Sequence, residues 1–218
     1  MATINHGQAS DLPINEEELA KFLADPEKRV FSGALYKIMV KGDDEAEEAM
    51  VMPFKPNRAQ RRFITRLWHR NLILKARQLG FTTLIAILWL DHALFNADQR
   101  CGIIAQDRDA AKVIFRDKVK FAYNNLPEQL RERFPLAADN ADELLFAHNN
   151  SSIRVATSMR SGTIHRLHVS EFEADPNCGL CDGTGDLTPA FRCACTKRGI
   201  AALLASNDQL LTYGGTGT

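Results

Sequence analysis

Residues 71–84 read NLILKARQLGFTTL: a short apolar run, a basic turn holding one glycine, then the start of a long apolar helix. Strand, glycine turn and helix in that order are the grammar of a phosphate-binding loop. In the pattern G-x-x-x-x-G-K-[ST], backbone N–H groups and the helix N-terminus cradle phosphates, and the hydroxyl residue holds Mg²⁺. The register here runs Lys75, Ala76, Arg77, Gln78, Leu79, Gly80, Phe81, Thr82, with Thr83 following. Gly80 and Thr82 fall where the pattern wants them. Phe81 occupies the lysine slot, and the cation moves to the first position, Lys75, from which it can reach the same phosphates across the loop. The same grammar also occurs in α/β proteins that bind no nucleotide, so a second site has to supply the rest of the chemistry.

Residues 166–171, RLHVSE, supply a candidate. Leu167 and Val169 share one face of a short strand that ends in a carboxylate. In phosphate-loop NTPases an acidic residue at such a strand tip faces the loop and holds Mg²⁺ or orients the attacking water. Ser170 stands in the metal-binding position, where it can act only through a water, and Glu171 stands in the water-activating position.

Composition bounds the rest. The chain has 218 residues, 45% of them hydrophobic, enough for a sizeable core. No run approaches the ~18 apolar residues of a membrane span, and the N-terminal MATINHGQASDLP lacks the charge-then-apolar order of a secretory signal. Lys+Arg and Asp+Glu number 27 each, which argues against binding a polyanion through net charge alone. The charges are segregated, however. Residues 11–48 are acidic, whereas 55–77 carry Lys55, Arg58, Arg61, Arg62, Arg66, Arg70, Lys75 and Arg77. That segment reads as a nucleotide and nucleic-acid face, or for any single arginine as a solvated helix face.

Five segments together carry a family resemblance: FKPNRAQRRF (54–63), NLILKARQLGFTTL (71–84), CGIIAQ (101–106), FRDKVKFAYNNLP (115–127) and LLFAHNNSSIRVATSMRSGTIHRLHVSEF (144–172). In content and order they resemble the ATPase domain of the large terminase subunit of tailed bacteriophages, the motor that packs DNA into the procapsid. The resemblance implies an α/β, P-loop NTPase-like fold with a mostly parallel sheet flanked by helices, incomplete and ending in an irregular C-terminal tail. It implies an acidic lead-in at 1–53, a partial ATPase core at 54–172 and a divergent tail at 173–218. It further implies ATP hydrolysis, with ATP and Mg²⁺ as ligands and the nuclease half absent. Gln60 would read the adenine, with Arg58 or Arg61 flanking the base. Lys75 and the loop through Thr83 would bind ATP, Arg77 would stabilise the γ-phosphate, Thr82 would hold Mg²⁺ and Glu171 would be the catalytic carboxylate. The implied partners are double-stranded DNA, the portal protein, the small terminase subunit and further copies in a ring. The implied location is the host cytoplasm, docked at the procapsid portal. A noncatalytic remnant that binds nucleotide or serves as an assembly module is the alternative, favoured by Phe81 and Ser170.

After Phe172 the apolar periodicity fades and the likeness ends, as in a truncated, split or frame-shifted gene; no later core strand is expected. Four of the five cysteines lie there, Cys178, Cys181, Cys193 and Cys195. Their C-x₂-C-x₁₁-C-x-C spacing could give four thiolates to zinc, or the residues are reduced thiols in an unrelated tail. Cys101, in an apolar strand, reads as a small buried hydrophobe. His165 and His168 bracket the strand before Glu171 and read as structural.

The element reading follows from periodicity and caps. It predicts an acidic helix over 14–23 ended by Asp25-Pro26, a strand pair within 31–54, and a helix from Arg58 to His69 capped by Asn57. The stripe Ala59, Phe63, Ile64, Leu67 and Trp68 of that helix reads as core. Strand 71–74, helix 81–96, strand 101–105, helices near 107–124 and 127–133, a hairpin turning at His148-Asn149-Asn150 and strand 166–170 complete it.

Overall fold

The apolar run after Gly80 becomes the central helix of the molecule. The computed structural model describes residues 12–13, 15–40, 50–75, 79–159, 162–170, 186–188, 191–192 and 210–216, with the backbone alone for Leu72, Leu74, Lys75 and everything beyond 170. In chain order the elements are α1 (Glu16–Ala24), α2 (Pro26–Phe31), β1 (Lys37–Val40), β2 (Met50–Pro53), α3 (Arg58–Ile64), β3 (Arg70–Lys75) and α4 (Phe81–Phe95). Then come β4 (Arg100–Ile104), α5 (Arg108–Ile114), a π-helical stretch (Phe115–Lys120), α6 (Phe121–Asn124), α7 (Glu128–Arg133) and β5 (Leu136–Asp139). The chain continues with β6 (Glu143–Phe146), β7 (Ser152–Ala156), β8 (Arg166–Val169), β9 (Asp186–Thr188), β10 (Phe191–Arg192) and β11 (Leu210–Thr216).

Seven strands form the main sheet in the order β3-β11-β8-β4-β7-β6-β5. The first five are mutually parallel, and β6 and β5 add an antiparallel edge. This is the expected mostly parallel sheet with its helices. The expectation of no core strand after Phe172 is overturned: β11 lies between β3 and β8, pairing Thr212 with both Asn71 and His168. The sequence LLTYGGT hides this strand, because two adjacent glycines erase both side-chain alternation and β-propensity.

Why α4 is central follows from its composition. Leu84, Ile85, Ala86, Ile87, Leu90 and Ala93 have no exposed surface at all, as expected of a helix apolar on every side. Trp89 fixes it to the sheet by donating from Nε1 to the Gly102 carbonyl at 3.2 Å. At its far end, Asn149 donates from Nδ2 to the carbonyls of Ala93 and Asn96, at 2.7 and 2.9 Å. These are the carbonyls that a helix end leaves unsatisfied. The β6–β7 turn therefore serves as the C-terminal cap of α4.

The N-terminal helices join this core through a buried charge. Arg29 donates to both carboxylate oxygens of Asp91 at 2.9 and 2.8 Å, and Tyr36 donates its hydroxyl to Asp91 Oδ1 at 2.7 Å. Arg29 also bonds the Leu23 carbonyl and lies over the Phe95 ring, 4.0 Å from its centroid. Burial lowers the Arg29 pKa, but the hydrogen bond and charge of Asp91 outweigh it and leave the guanidinium above its ordinary value. Burial, then the Asp91 charge, pushes the Tyr36 phenol well above its usual value. Asp25 does not simply end a helix. Its Oδ1 accepts from the N–H groups of Glu27 and Lys28, capping α2 with Pro26 in the first turn.

Helix α3 starts as expected, with a reciprocal capping box between Asn57 and Gln60. It stops at Ile64, short of the expected His69. Asn71 clamps the turn that follows, accepting from the Trp68 N–H at 3.0 Å and donating to the Trp68 carbonyl at 2.6 Å. Because the helix ends early, Trp68 leaves the apolar stripe and is 70% exposed rather than core. Ala59 is exposed as well, while Phe63, Ile64 and Leu67 pack against the core.

Candidate functional site

Three parallel strands deliver the site at their carboxyl ends. Gly80 follows β3, Gln106 follows β4 and Ser170 follows β8; all three line one cavity of about 320 Å³ together with Phe81, Thr82, Thr83 and Lys118. Carboxyl ends of parallel strands are where open α/β sheets bind ligands. A larger cavity of about 720 Å³ is bounded by Arg100, Ser152, Arg154 and His165, which lie at or near the amino ends of β4, β7 and β8. Topology therefore favours the smaller cavity.

Gly80 makes the turn into α4 possible. It sits at φ +68°, where glycine carries no penalty, and a Cβ there would lie 3.0 Å from Gln60 Nε2. Gln60 is itself only 4% exposed. Its Oε1 accepts from the Asn57 N–H at 2.9 Å, and its Nε2 donates to the carbonyls of Leu79 and Gly80 at 3.2 and 2.9 Å. Both Nε2 hydrogens and one acceptor site of Oε1 are engaged within the protein, so Gln60 braces the end of the loop. Asn57 Nδ2 adds a bond to the Leu79 carbonyl at 3.3 Å.

Phe81, in the lysine slot, packs its ring into the core. It is 6% exposed, and its ring meets Phe63 edge-on at 5.6 Å. Its side chain is thus an anchor for the first turn of α4. Thr82 and Thr83 do present hydroxyls. Thr82 Oγ1 lies 3.1 Å from Ser170 Oγ, so the loop end and the β8 tip meet even though β11 separates their strands. Thr83 Oγ1 accepts from Lys118 Nζ at 2.9 Å. Burial lowers the Lys118 pKa, and the charge of neighbouring Asp117 partly offsets this.

Of the remaining expected site residues, Lys75 is described as the last backbone position of β3, whereas Ala76, Arg77, Gln78 and Glu171 lie outside the described residues. Cys178, Cys181, Cys193 and Cys195 also lie outside them. Among the described residues there is no cluster of histidine, cysteine and carboxylate suited to a metal. Cys101 is buried as expected, its thiol pushed up to about 12 by burial. His165 is tied to the sheet, its Nδ1 accepting the Arg100 N–H at 3.0 Å. Lys118 and Gln106 are cavity residues that the sequence reading does not single out, because nothing in their spacing ties them to the loop.

The donors fit a phosphate with its metal. The cavity gathers the N-terminal turn of a fifteen-residue helix, the hydroxyls of Thr82, Thr83 and Ser170, an amide and an ammonium, with no carboxylate among its described lining. Helix N-termini favour anions, and hydroxyl oxygens can ligate a hard cation directly or through water.

No protein-family model matches the chain, and no curated protein matches it. Among solved structures, it is similar to the crystal structure of the HK97 bacteriophage large terminase, with a TM-score of 0.53 and 18% sequence identity over 75% of this chain. The similarity spans 34% of the length of that terminase. The architecture of the chain is therefore that of a terminase-like α/β fold. Among the described residues, no helix is long and apolar enough to cross a membrane.

Proposed function

We propose that the chain binds and hydrolyses ATP as part of a phage DNA-packaging motor of the large terminase kind. The observation that carries this reading is the contact between Thr82 and Ser170. It brings the hydroxyl residue of the loop against the end of β8, the strand that precedes Glu171 in sequence, and so supports a shared nucleotide site. Thr82 would hold Mg²⁺ directly and Ser170 through a water. Lys75 and Arg77 would meet the phosphates, and Glu171 would orient the attacking water. Mg²⁺, when bound, would neutralise part of the phosphate charge. The fold similarity to the HK97 large terminase supports the packaging assignment, with double-stranded DNA, portal, small subunit and sister copies as the partners of that assembly.

Glu171→Gln tests the hydrolytic role. The unmodified chain should hydrolyse ATP slowly, and the variant should lose that rate while retaining ATP binding, because the carboxylate acts on the transition state more than on the ground state. Hydrolysis that survives the substitution removes Glu171 from its role. The burial of Phe81 and the serine at 170 support a second reading, a nucleotide-binding module without turnover. ATP binding with no hydrolysis by the unmodified chain would establish it.

A further inference from the structure

We propose that Lys118 is a phosphate-contacting residue of this site, supplying from the opposite wall a positive charge that the loop cannot place at position 81. The inference rests on the ATP reading above and adds to it a residue from outside the loop and the β8 tip.

Four observations converge. Phe81 fills the lysine slot and is buried, so no ammonium can reach the phosphates from there. Lys118 borders the same cavity as Gly80, Thr82 and Ser170, and it is the one charged side chain in the described lining. Its Nζ is held 2.9 Å from Thr83 Oγ1, one residue beyond the hydroxyl expected to hold Mg²⁺. An ammonium has three donors, and this bond uses one of them. The nearest acid in sequence, Asp117, is committed to Arg116 by two bonds of 2.6 and 3.0 Å. No ion pair engages Lys118 among the described residues.

The local backbone is also unusual. Lys118 lies in the π-helical stretch between α5 and α6, and such wide turns within α-helices are frequent at functional sites. A half-buried lysine that forms no ion pair among the described residues is costly to keep charged, and burial lowers its pKa, with the charge of Asp117 partly offsetting this. An incoming polyphosphate would relieve that cost with a charge-assisted hydrogen bond. The class of ligand this favours is an anion with several phosphate oxygens. A metal cation without its phosphates is disfavoured, since the ammonium would repel it, whereas the Mg²⁺ of a nucleotide arrives already neutralised by phosphate oxygens.

The test is Mg²⁺-ATP titration of the full chain carrying Lys118→Met, Lys118→Arg or, as a control for loss of one charge, Lys112→Met. Lys112 lies on the same helical run, exposed and paired with Asp109. Lys118→Met should weaken ATP binding about tenfold or more, Lys118→Arg should retain most of the affinity, and Lys112→Met should leave it unchanged. Labelling of the unmodified chain with an amine-directed reagent needs no variant. ATP should protect Lys118 from it, and this readout stands even where Lys118→Met fails to fold. Unchanged affinity in Lys118→Met, or labelling of Lys118 that ATP does not slow, overturns the proposal and leaves the ATP site standing. An unmodified chain that binds no ATP overturns both.

Discussion

Thr82, in the first turn of α4, and Ser170, at the end of β8, hold their hydroxyl oxygens 3.1 Å apart across a separation of 88 positions in sequence. The contact requires the loop after β3 to reach past β11 to the next parallel strand. Its position is therefore a property of the whole sheet, and disturbing the sheet should disturb the site.

The brace beneath the loop gives the first prediction. Gln60→Ala removes two bonds to the Leu79 and Gly80 carbonyls and half of the capping box. Stability should fall by about 1–2 kcal/mol in urea denaturation, since three part-buried hydrogen bonds are lost. ATP and GTP affinities should weaken together. A selective loss of ATP over GTP would instead support the adenine-reading role.

Strand β11 gives the second. Thr212→Pro deletes a backbone donor from a strand paired on both sides, and should cost about 3 kcal/mol or more. Circular dichroism and denaturation would measure it. A variant as stable as the unmodified chain would show that the segment contributes no core strand.

The buried cluster around Asp91 gives the third. Asp91→Ala leaves Arg29 charged and buried, and should destabilise by about 3–5 kcal/mol. Tyr36→Phe removes one bond to that carboxylate and should cost about 1–2 kcal/mol. Denaturation midpoints of the two variants would order them, and a Tyr36→Phe loss equal to that of Asp91→Ala would contradict the arrangement.

Cys101 predicts a pH dependence. Burial pushes its thiol up to about 12 from an ordinary 9.0. Below pH 9.0 the thiol is neutral in the folded and unfolded chains alike, and its contribution is intact. As pH rises from 9.0 towards 12, only the unfolded chain releases the proton, so stability falls. Cys101→Ala should flatten this alkaline limb relative to the unmodified chain; identical limbs would contradict the burial of the thiol.

Local signals made much of the fold legible. Asn57 and the apolar run after Gly80 declared the starts of α3 and α4, because a cap and an all-round apolar face act within a few residues of themselves. The end of α3 was not legible, since the Asn71 clamp that closes the turn operates from the next strand. β11 was hidden by Gly214 and Gly215, whose pairing is decided by neighbours remote in sequence. In the site, Gly80 and Thr82 follow from loop grammar. The brace by Gln60, the inward turn of Phe81 and the approach of Lys118 depend on tertiary packing that no spacing encodes.

The central claim is that the Thr82 hydroxyl and its surroundings form a Mg²⁺-ATP site. Calorimetric titration of the unmodified chain and of Thr82→Val with ATP, each with and without Mg²⁺, tests it most directly. Saturable binding by the unmodified chain that is strengthened by Mg²⁺, with Thr82→Val weakened about tenfold or more and no longer responsive to the metal, is the predicted result. Equal, Mg²⁺-strengthened binding by both chains, or no ATP binding by the unmodified chain, would contradict it.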